Sequence, residues 1–391
     1  MVNKDMLALG ETRSVIRELF EYGKQLAAER GEENVFDFSL GNPSAPVPDF
    51  VNDAVAELTA MPNIHNYSSA QGDISVRKHI AEYSNEKWNL SLTEDNIYLT
   101  AGAAAGLTIT FRALNADSDQ FIIIAPYFPE YPVFIRSCGG NPIAVNTKSD
   151  FSLDVSAIEK AINKKTKAII INSPNNPAGN IYPKEQIIEL AEMLKRKQKE
   201  LDSSIYLISD EPYRELSYDT EVPCPMSYYE NTITCYSFSK SLSLAGERIG
   251  YIAVSPKADN SSQLYSAICG AGRALGYVCA PSLFQQVIMR CLGRTADLEI
   301  YRKNRDLIYS ILCDLGLQCV KPEGAFYLFA KCPCNPKKFF EACKEEGLLV
   351  VPSDSFGIKG YVRIAYCVPT ERIINSAPKF KAVAKKCGLI E

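Results

Sequence analysis

Short apolar runs rich in β-branched residues recur along the chain at Asn96–Thr100, Phe121–Ala125, Ala168–Ile171, Ile205–Ile208, Thr232–Tyr236 and Ile249–Val254. Runs like these, with little polar alternation, suit strands covered on both faces. Between several of them the pattern changes to helical spacing. From Lys184 to Lys199, the residues Ile187, Ile188, Leu190, Ala191 and Leu194 share one face and the charges take the other. Strand and helix alternating in this way predict an α/β layer built on a mainly parallel sheet. Beyond about residue 285 the texture shifts to helix, the turn Pro322-Glu323-Gly324, the apolar run Ala325–Phe329, and then a closing helix, strand and helix. That order predicts a smaller α+β unit. Glu11–Arg30 reads as a helix ahead of the large sheet, expected to pack with the C-terminal part. No internal repeat or low-complexity tract interrupts the pattern.

Composition narrows the picture. The chain has 391 residues, 46% of them hydrophobic and 23% charged, which is more than one core usually supports. Two domains are therefore expected, one of them drawing on both chain ends. A net charge of -4 supplies no basic field for a phosphate backbone, so nucleic acid is not an expected partner. Lys195, Arg196, Lys197 and Lys199 are interspersed with Glu192, Gln198 and Glu200, as on a solvated helix face. Met1–Met6 holds no cationic stretch leading into an apolar segment, and the longest apolar runs fall short of the ~20 residues that cross a bilayer. A cytoplasmic protein without membrane association is expected. The thirteen cysteines are odd in number and scattered, unlike a disulfide framework. Cys332-Pro333-Cys334 is the one close pair and lacks companions for a metal site, so no metal is expected. His65 and His79 are the only histidines, so a histidine-rich metal centre is excluded and a Ser-His-Asp triad would rest on one of them.

Candidate chemistry sits where strands end. Ser237-Phe238-Ser239-Lys240-Ser241-Leu242, followed by Ala245-Gly246-Glu247-Arg248-Ile249-Gly250, leads from a strand into a hydroxyl-rich turn with one lysine and one arginine. A lysine there can condense with an aldehyde cofactor once burial or neighbouring positive charge favours its neutral form. Ser237, Ser239 and Arg248 can hold a phosphate, the arginine through two parallel bonds. Taken alone, Lys240 also fits an ordinary surface turn. Ile208-Ser209-Asp210-Glu211-Pro212-Tyr213 delivers a carboxylate at the edge where α/β sheets bind ligands. Asp210 can pair with a protonated ring nitrogen, and Tyr213 can donate to a phenolic oxygen on the same ring. A helix N-cap is the competing use of such an aspartate. In Asn172-Ser173-Pro174-Asn175-Asn176-Pro177-Ala178-Gly179, two prolines and a glycine shape an irregular loop that leaves Asn176 for that phenolic oxygen. Thr100–Leu107 is a run of small residues after a strand. It suits either backbone N–H groups meeting a phosphate at a helix start or close packing of helix on sheet.

In this order the segments resemble the class I and II aminotransferases of the pyridoxal 5′-phosphate (PLP) fold type I superfamily, from Leu40-Gly41-Asn42-Pro43 to Tyr361-Val362-Arg363-Ile364. Ser-x-Ser-Lys followed by Gly-Glu-Arg-x-Gly, joined to Asn-Asn-Pro-Ala-Gly and Asp-Glu-Pro-Tyr, carries the resemblance. It implies a large PLP-binding domain at 46–284, with a mainly parallel seven-stranded sheet between helices, and a small α+β domain made of 1–45 with 285–391. It also implies that Lys240 is the Schiff-base lysine and proton carrier, that Asp210 meets the pyridine nitrogen, and that Asn176 and Tyr213 meet the phenolic oxygen. Phe128 matches the aromatic residue stacked on the ring, with core packing beside Tyr127 and Tyr131 as its competing use. Gly102, Ala103, Ala104, Ser237 and Arg248 match the phosphate cradle. Tyr67 matches a tyrosine that reaches the phosphate from the partner subunit, which implies a homodimer with shared active sites. Arg363 and the backbone of Gly41, with Asn176 nearby, match the contacts to the substrate α-carboxylate.

The implied activity moves an amino group between an L-amino acid and a 2-oxo acid by a ping-pong mechanism, with aspartate and 2-oxoglutarate or a broader range as substrates. A PLP-dependent carbon–sulfur β-lyase is the alternative on the same fold, and a non-enzymatic regulator the remote one. Ala105 stands where some bacterial aspartate aminotransferases carry a lysine for the distal carboxylate. Arg273 lies near the region from which other members send an arginine into the neighbouring subunit's site.

Overall fold

The structure, a computed structural model, describes residues 2–11, 15–116 and 118–391. In chain order its strands are β1 (Phe36–Asp37), β2 (Ile97–Thr100), β3 (Gln120–Ala125), β4 (Asn141–Asn146), β5 (Thr166–Asn172), β6 (Tyr206–Asp210), β7 (Thr232–Ser237), β8 (Gly250–Val254), β9 (Tyr327–Lys331), β10 (Leu348–Leu349), β11 (Val351–Pro352) and β12 (Tyr361–Ala365). Seven of them form the central sheet in the order β2-β8-β7-β6-β5-β3-β4. Neighbours from β7 to β4 are parallel, whereas β8 runs antiparallel to both β2 and β7.

Each of the apolar runs between Asn96 and Val254 became a strand of this sheet. The period of two then sorts the core onto two faces. Phe121, Ile123, Ala168, Ile170 and Ile208 pack with Leu107 and Phe111 of the helix Ala103–Leu114. Their chain neighbours Ile122, Ile124, Ile169, Ile171 and Leu207 pack with Ile187, Leu190 and Leu194 of the helix Lys184–Leu201. β4 had no apolar run to announce it. As an edge strand it has one neighbour, tolerates Pro142 and buries only Val145.

The rest of the chain builds a second layer. β11-β12-β9 form an antiparallel sheet, and β1 pairs in parallel with β10. Phe36, Phe38 and Ala45 from the chain start share one apolar cluster with Tyr301, Phe326, Val362 and Phe380. The helix Ser282–Cys291 crosses residue 285, and its Val287, Ile288 and Cys291 pack with Val51 and Leu58 and with the base of the large sheet. Of the helix expected over Glu11–Arg30, residues 12–14 lie outside the described residues, and Val15–Arg30 is helical. It packs with the C-terminal part: Leu19 meets Phe329, Val351 and Phe356, and Leu26 meets Leu349. Among the described residues, no helix is long and apolar enough to cross a membrane.

Candidate active site

The parallel strands β5, β6 and β7 end side by side on Asn172, Asp210 and Ser237, with Asn172 in register with Asp210 and Asp210 with Cys235. Chain leaving the same edge of a parallel sheet converges on one place, and here it lines a cavity of about 290 Å³. The cavity wall includes Gly41, Ala103, Ala104, Phe128, Asn176, Asp210, Tyr213, Ser237, Ser239, Lys240, Arg248 and Arg363. Residues picked out from separate stretches of sequence thus come together.

Asp210 is 4% exposed. Its Oδ2 accepts a hydrogen bond from the Tyr131 hydroxyl at 2.6 Å, and its Oδ1 is buried without a partner. Burial pushes the carboxyl up to about 7, against the pull of the Tyr131 hydrogen bond. A buried acid with one free oxygen facing a cavity is suited to a cationic N–H. Asn172 braces the adjoining loop: its amide donates to the Asp210 carbonyl at 2.9 Å, and its Oδ1 accepts from the Asn176 backbone at 2.8 Å.

Lys240 lies on the single helical turn Phe238–Ser241, which Ser237 caps by accepting from the Ser239 backbone. Its Nζ donates to the Gly41 carbonyl at 2.6 Å. Burial brings the amine down from 10.5 to about 8, and the nearby Arg248 and Arg363 charges push in the same direction, against the Cys367 thiol. Such a lysine is partly neutral, and so nucleophilic, near neutral pH.

Beside it the helix Ala103–Leu114 begins at Gly102, which has a φ of 81°. A side chain there would be strained, and its Cβ would come within 2.6 Å of Arg248 Nη2. Arg248 donates to Ser239 Oγ at 3.2 Å, and Ser239 Oγ lies 2.7 Å from Ser237 Oγ. Unpaired backbone N–H groups, two hydroxyls and a guanidinium therefore surround one small volume, the donor set an anion requires.

Across the cavity, Arg363 on β12 is 2% exposed. It donates to Asn176 Oδ1 at 3.0 Å and to the Ser39 carbonyl, while its Nε has no partner. Its guanidinium lies 4.6 Å from the centre of the Tyr327 ring. The Tyr327 hydroxyl is 2.9 Å from that of Tyr213, and it occupies the space a Cβ on Gly41 would need.

Three expected residues are not part of the cavity wall: Gly102, which adjoins it at the helix start beside Arg248, and Tyr67 and Arg273, which lie apart from it. Tyr67 is 88% exposed and lines a separate cavity with Asn66 and Ser68. Arg273 is exposed in the last turn of the helix Ser261–Ala274. Conversely, Ile16, Leu107, Asn172, Pro212, Ala245 and Tyr327 line the cavity without having been anticipated. Asn172 had a signal, a polar residue closing an apolar strand. Tyr327 had none, because it sits inside the apolar run Ala325–Phe329 and reads as core.

A mainly parallel seven-stranded sheet of this order, with a cavity at its carboxyl strand ends and a second layer built by the chain termini, is the architecture of the fold type I transferases. The likeness to known proteins is closer than architecture. Residues 33–377 match the family described as aminotransferase class I and II, and the chain belongs to that family. It is 31% identical to the aspartate/prephenate aminotransferase of Thermus thermophilus over 92% of this chain and 94% of that protein. Aromatic-amino-acid aminotransferase 2 of Thermococcus litoralis is 28% identical over 96% of this chain and 97% of its own length. Among solved structures, an aminotransferase from Eubacterium rectale superposes with a TM-score of 0.97 at 51% identity, covering 99% of each chain. The aspartate aminotransferase of Thermus thermophilus with maleate superposes with a TM-score of 0.85 at 27% identity, covering 98% of this chain and 99% of that one. The protein is an aminotransferase.

Proposed function

We propose that this aminotransferase carries PLP on Lys240 and uses it to move the amino group between an L-amino acid and a 2-oxo acid in two half-reactions. The observation that carries the reading is the pairing of Lys240, an amine brought down to about 8, with Asp210, a buried acid whose Oδ1 is unpartnered, on the wall of one cavity. The residues fit the cofactor group by group. Asp210 would hold the ring nitrogen, Asn176 and Tyr213 the phenolic oxygen, and Phe128 a ring face. Gly102, Ala103, Ala104, Ser237, Ser239 and Arg248 would hold the phosphate, joined by Tyr67 from a second copy in a homodimer with shared sites.

When bound, PLP supplies an electron-withdrawing ring that accommodates the charge left on Cα as a bond to it breaks. Which bond breaks depends on this chain. Arg363, with the Gly41 backbone and Asn176, binds the α-carboxylate and so sets the orientation of Cα. Lys240, the amine that would hold PLP, would also be the group placed to take the proton from the substrate Cα and to hand it back. Orientation by Arg363 favours loss of that proton over loss of the carboxylate.

Aspartate with 2-oxoglutarate, or a wider range that includes aromatic substrates, is the substrate class we infer. The names of the relatives support it, as do the apolar side chains of Ile16, Leu107 and Phe128 in the cavity wall. Arg273 from the second copy is the candidate for a distal carboxylate. The carbon–sulfur lyase alternative is not favoured by relatives that are named aminotransferases. The domain division follows the same reading, with 46–284 as the large unit and 1–45 with 285–391 as the small one, adjusted so that the helix Ser282–Cys291 stays with the large unit.

The test is to follow conversion of the bound cofactor to its amine form against a panel of amino acids, then its recovery with 2-oxo acids. Conversion by dicarboxylic or aromatic amino acids is expected. Borohydride reduction that fixes the cofactor to a residue other than Lys240, or protein that binds none, overturns the reading.

A further inference from the structure

We propose that Tyr131 is a positioning residue for the acid at the back of the site: it fixes Asp210 through a hydrogen bond and Phe128 through an edge-to-face contact, so that both meet the cofactor ring in one geometry. The inference rests on the PLP reading above and asks what holds two of its groups in place.

Tyr131 begins the helix Tyr131–Ser137 and is 2% exposed. It lies behind the cavity wall rather than on it. Its hydroxyl donates to Asp210 Oδ2 at 2.6 Å, which leaves Oδ1 as the oxygen without a partner. One tethered oxygen fixes the plane of a carboxylate, and the other is then aimed. The same bond decides the charge. Burial and the neighbouring Glu211 favour the protonated acid, and among the described neighbours the Tyr131 hydrogen bond is what favours the carboxylate. A neutral acid forms no ion pair with a ring nitrogen.

The other face of the argument is the ring of Tyr131. Phe128 stands on its edge, with centroids 5.6 Å apart and planes at 81°. Phe128 is only half-buried, so this contact limits where its ring can turn. One phenol thus braces both the residue that would cover the cofactor and the residue that would keep its nitrogen charged.

Tyr131→Phe separates the two functions, because it keeps the ring and removes the hydroxyl. The dissociation constant of PLP is measured on cofactor-free protein between pH 7 and pH 9 for wild type, Tyr131→Phe, Asp210→Asn and the double variant. Folding is read independently from the thermal midpoint without cofactor. Loss of a hydrogen bond to a charged group predicts about tenfold weaker PLP binding in Tyr131→Phe. The loss is larger at pH 7 than at pH 9, since Asp210 then protonates at higher pH. In the Asp210→Asn background the same change alters binding by less than about twofold.

A single variant that fails to fold while the double variant folds also places the hydroxyl on the Asp210 charge. Equal losses in the two backgrounds, or failure of both variants to fold, make Tyr131 a packing residue and overturn the inference. Wild type that binds no PLP sinks the reading of the site. Wild type that binds PLP, beside a Tyr131→Phe variant that binds it equally well, sinks only the role given to Tyr131.

Discussion

The two sides of the cavity are made in different ways. On the sheet side, Asp210, Asn176, Ser237 and Lys240 stand on or just past the ends of β5, β6 and β7, and apart from Asp210, which Tyr131 holds from another element, they have local braces: Ser237 caps the turn of Lys240, and Asn172 holds the backbone of Asn176. On the opposite side, Gly41, Tyr327 and Arg363 are delivered by the two chain ends, and their partners are remote in sequence: Arg363 reaches Asn176 and Ser39, and the Gly41 carbonyl reaches Lys240. A group braced by its neighbours is placed as soon as its strand is formed. A group braced across the cavity is placed only when both layers are assembled. The sheet side therefore suits the fixed part of the chemistry, and the far side suits the part that must release one substrate and accept another.

Lys240→Ala is the largest break. It removes the proposed covalent anchor and proton carrier together, and transamination should fall by at least roughly 10⁴-fold. Because the other cofactor contacts stay in place, the variant should still bind PLP, now released by dialysis and not fixed by borohydride. Activity within about a hundredfold of wild type would remove Lys240 from the reaction.

The same division explains what could be read from the sequence. Sheet-side residues sit within a few positions of an apolar run, so strand and chemistry announce each other: Ile208 leads to Asp210, and Tyr236 leads through Ser237 to Lys240. Asp210 proved to end a strand on a cavity rather than cap a helix. Far-side residues were visible only through resemblance, as with Arg363, or not at all, as with Tyr327. Tyr131 was read as packing beside Phe128, because a hydrogen bond from a helix start to the end of a strand far along the chain leaves no trace in local spacing. β4 was passed over for a related reason: an edge strand with one buried side chain carries almost no period.

Arg363→Lys should sharpen the comparison. Lysine keeps the charge but loses the planar fork and the stack on Tyr327, so kcat/KM for amino acids should fall by roughly 10²-fold, mostly through KM. The dissociation constant for PLP should move by less than about twofold. If PLP affinity falls in step with kcat/KM, the two sides do not work separately.

A smaller effect comes from pH and probes the sheet side without substrate. With the Lys240 amine brought down to about 8, its neutral fraction in cofactor-free protein rises from roughly a tenth at pH 7 to roughly nine-tenths at pH 9. The lowered value means that protons leave earlier than from an ordinary lysine, so covalent capture of PLP should accelerate about tenfold over that range and then level off. A rate still climbing steeply above pH 9 would mark Lys240 as an exposed, ordinary amine.

Tyr327→Phe gives the smallest effect, and the most pointed one, because Tyr327 lies on the seam. Its ring carries the Arg363 guanidinium at 4.6 Å, and its hydroxyl meets that of Tyr213 at 2.9 Å. Phenylalanine keeps the ring and so keeps the far-side contact, while the link to the sheet side is cut. A neutral hydrogen bond contributes about 0.5–1.5 kcal/mol, so a loss of about two- to tenfold is expected. If the sides are separate, the loss appears in kcat and in PLP retention through Tyr213, and KM for the amino acid stays constant. A change confined to KM would mean that the hydroxyl serves Arg363 instead, and that the boundary between the two sides runs between Tyr213 and Tyr327 rather than through Tyr327 itself.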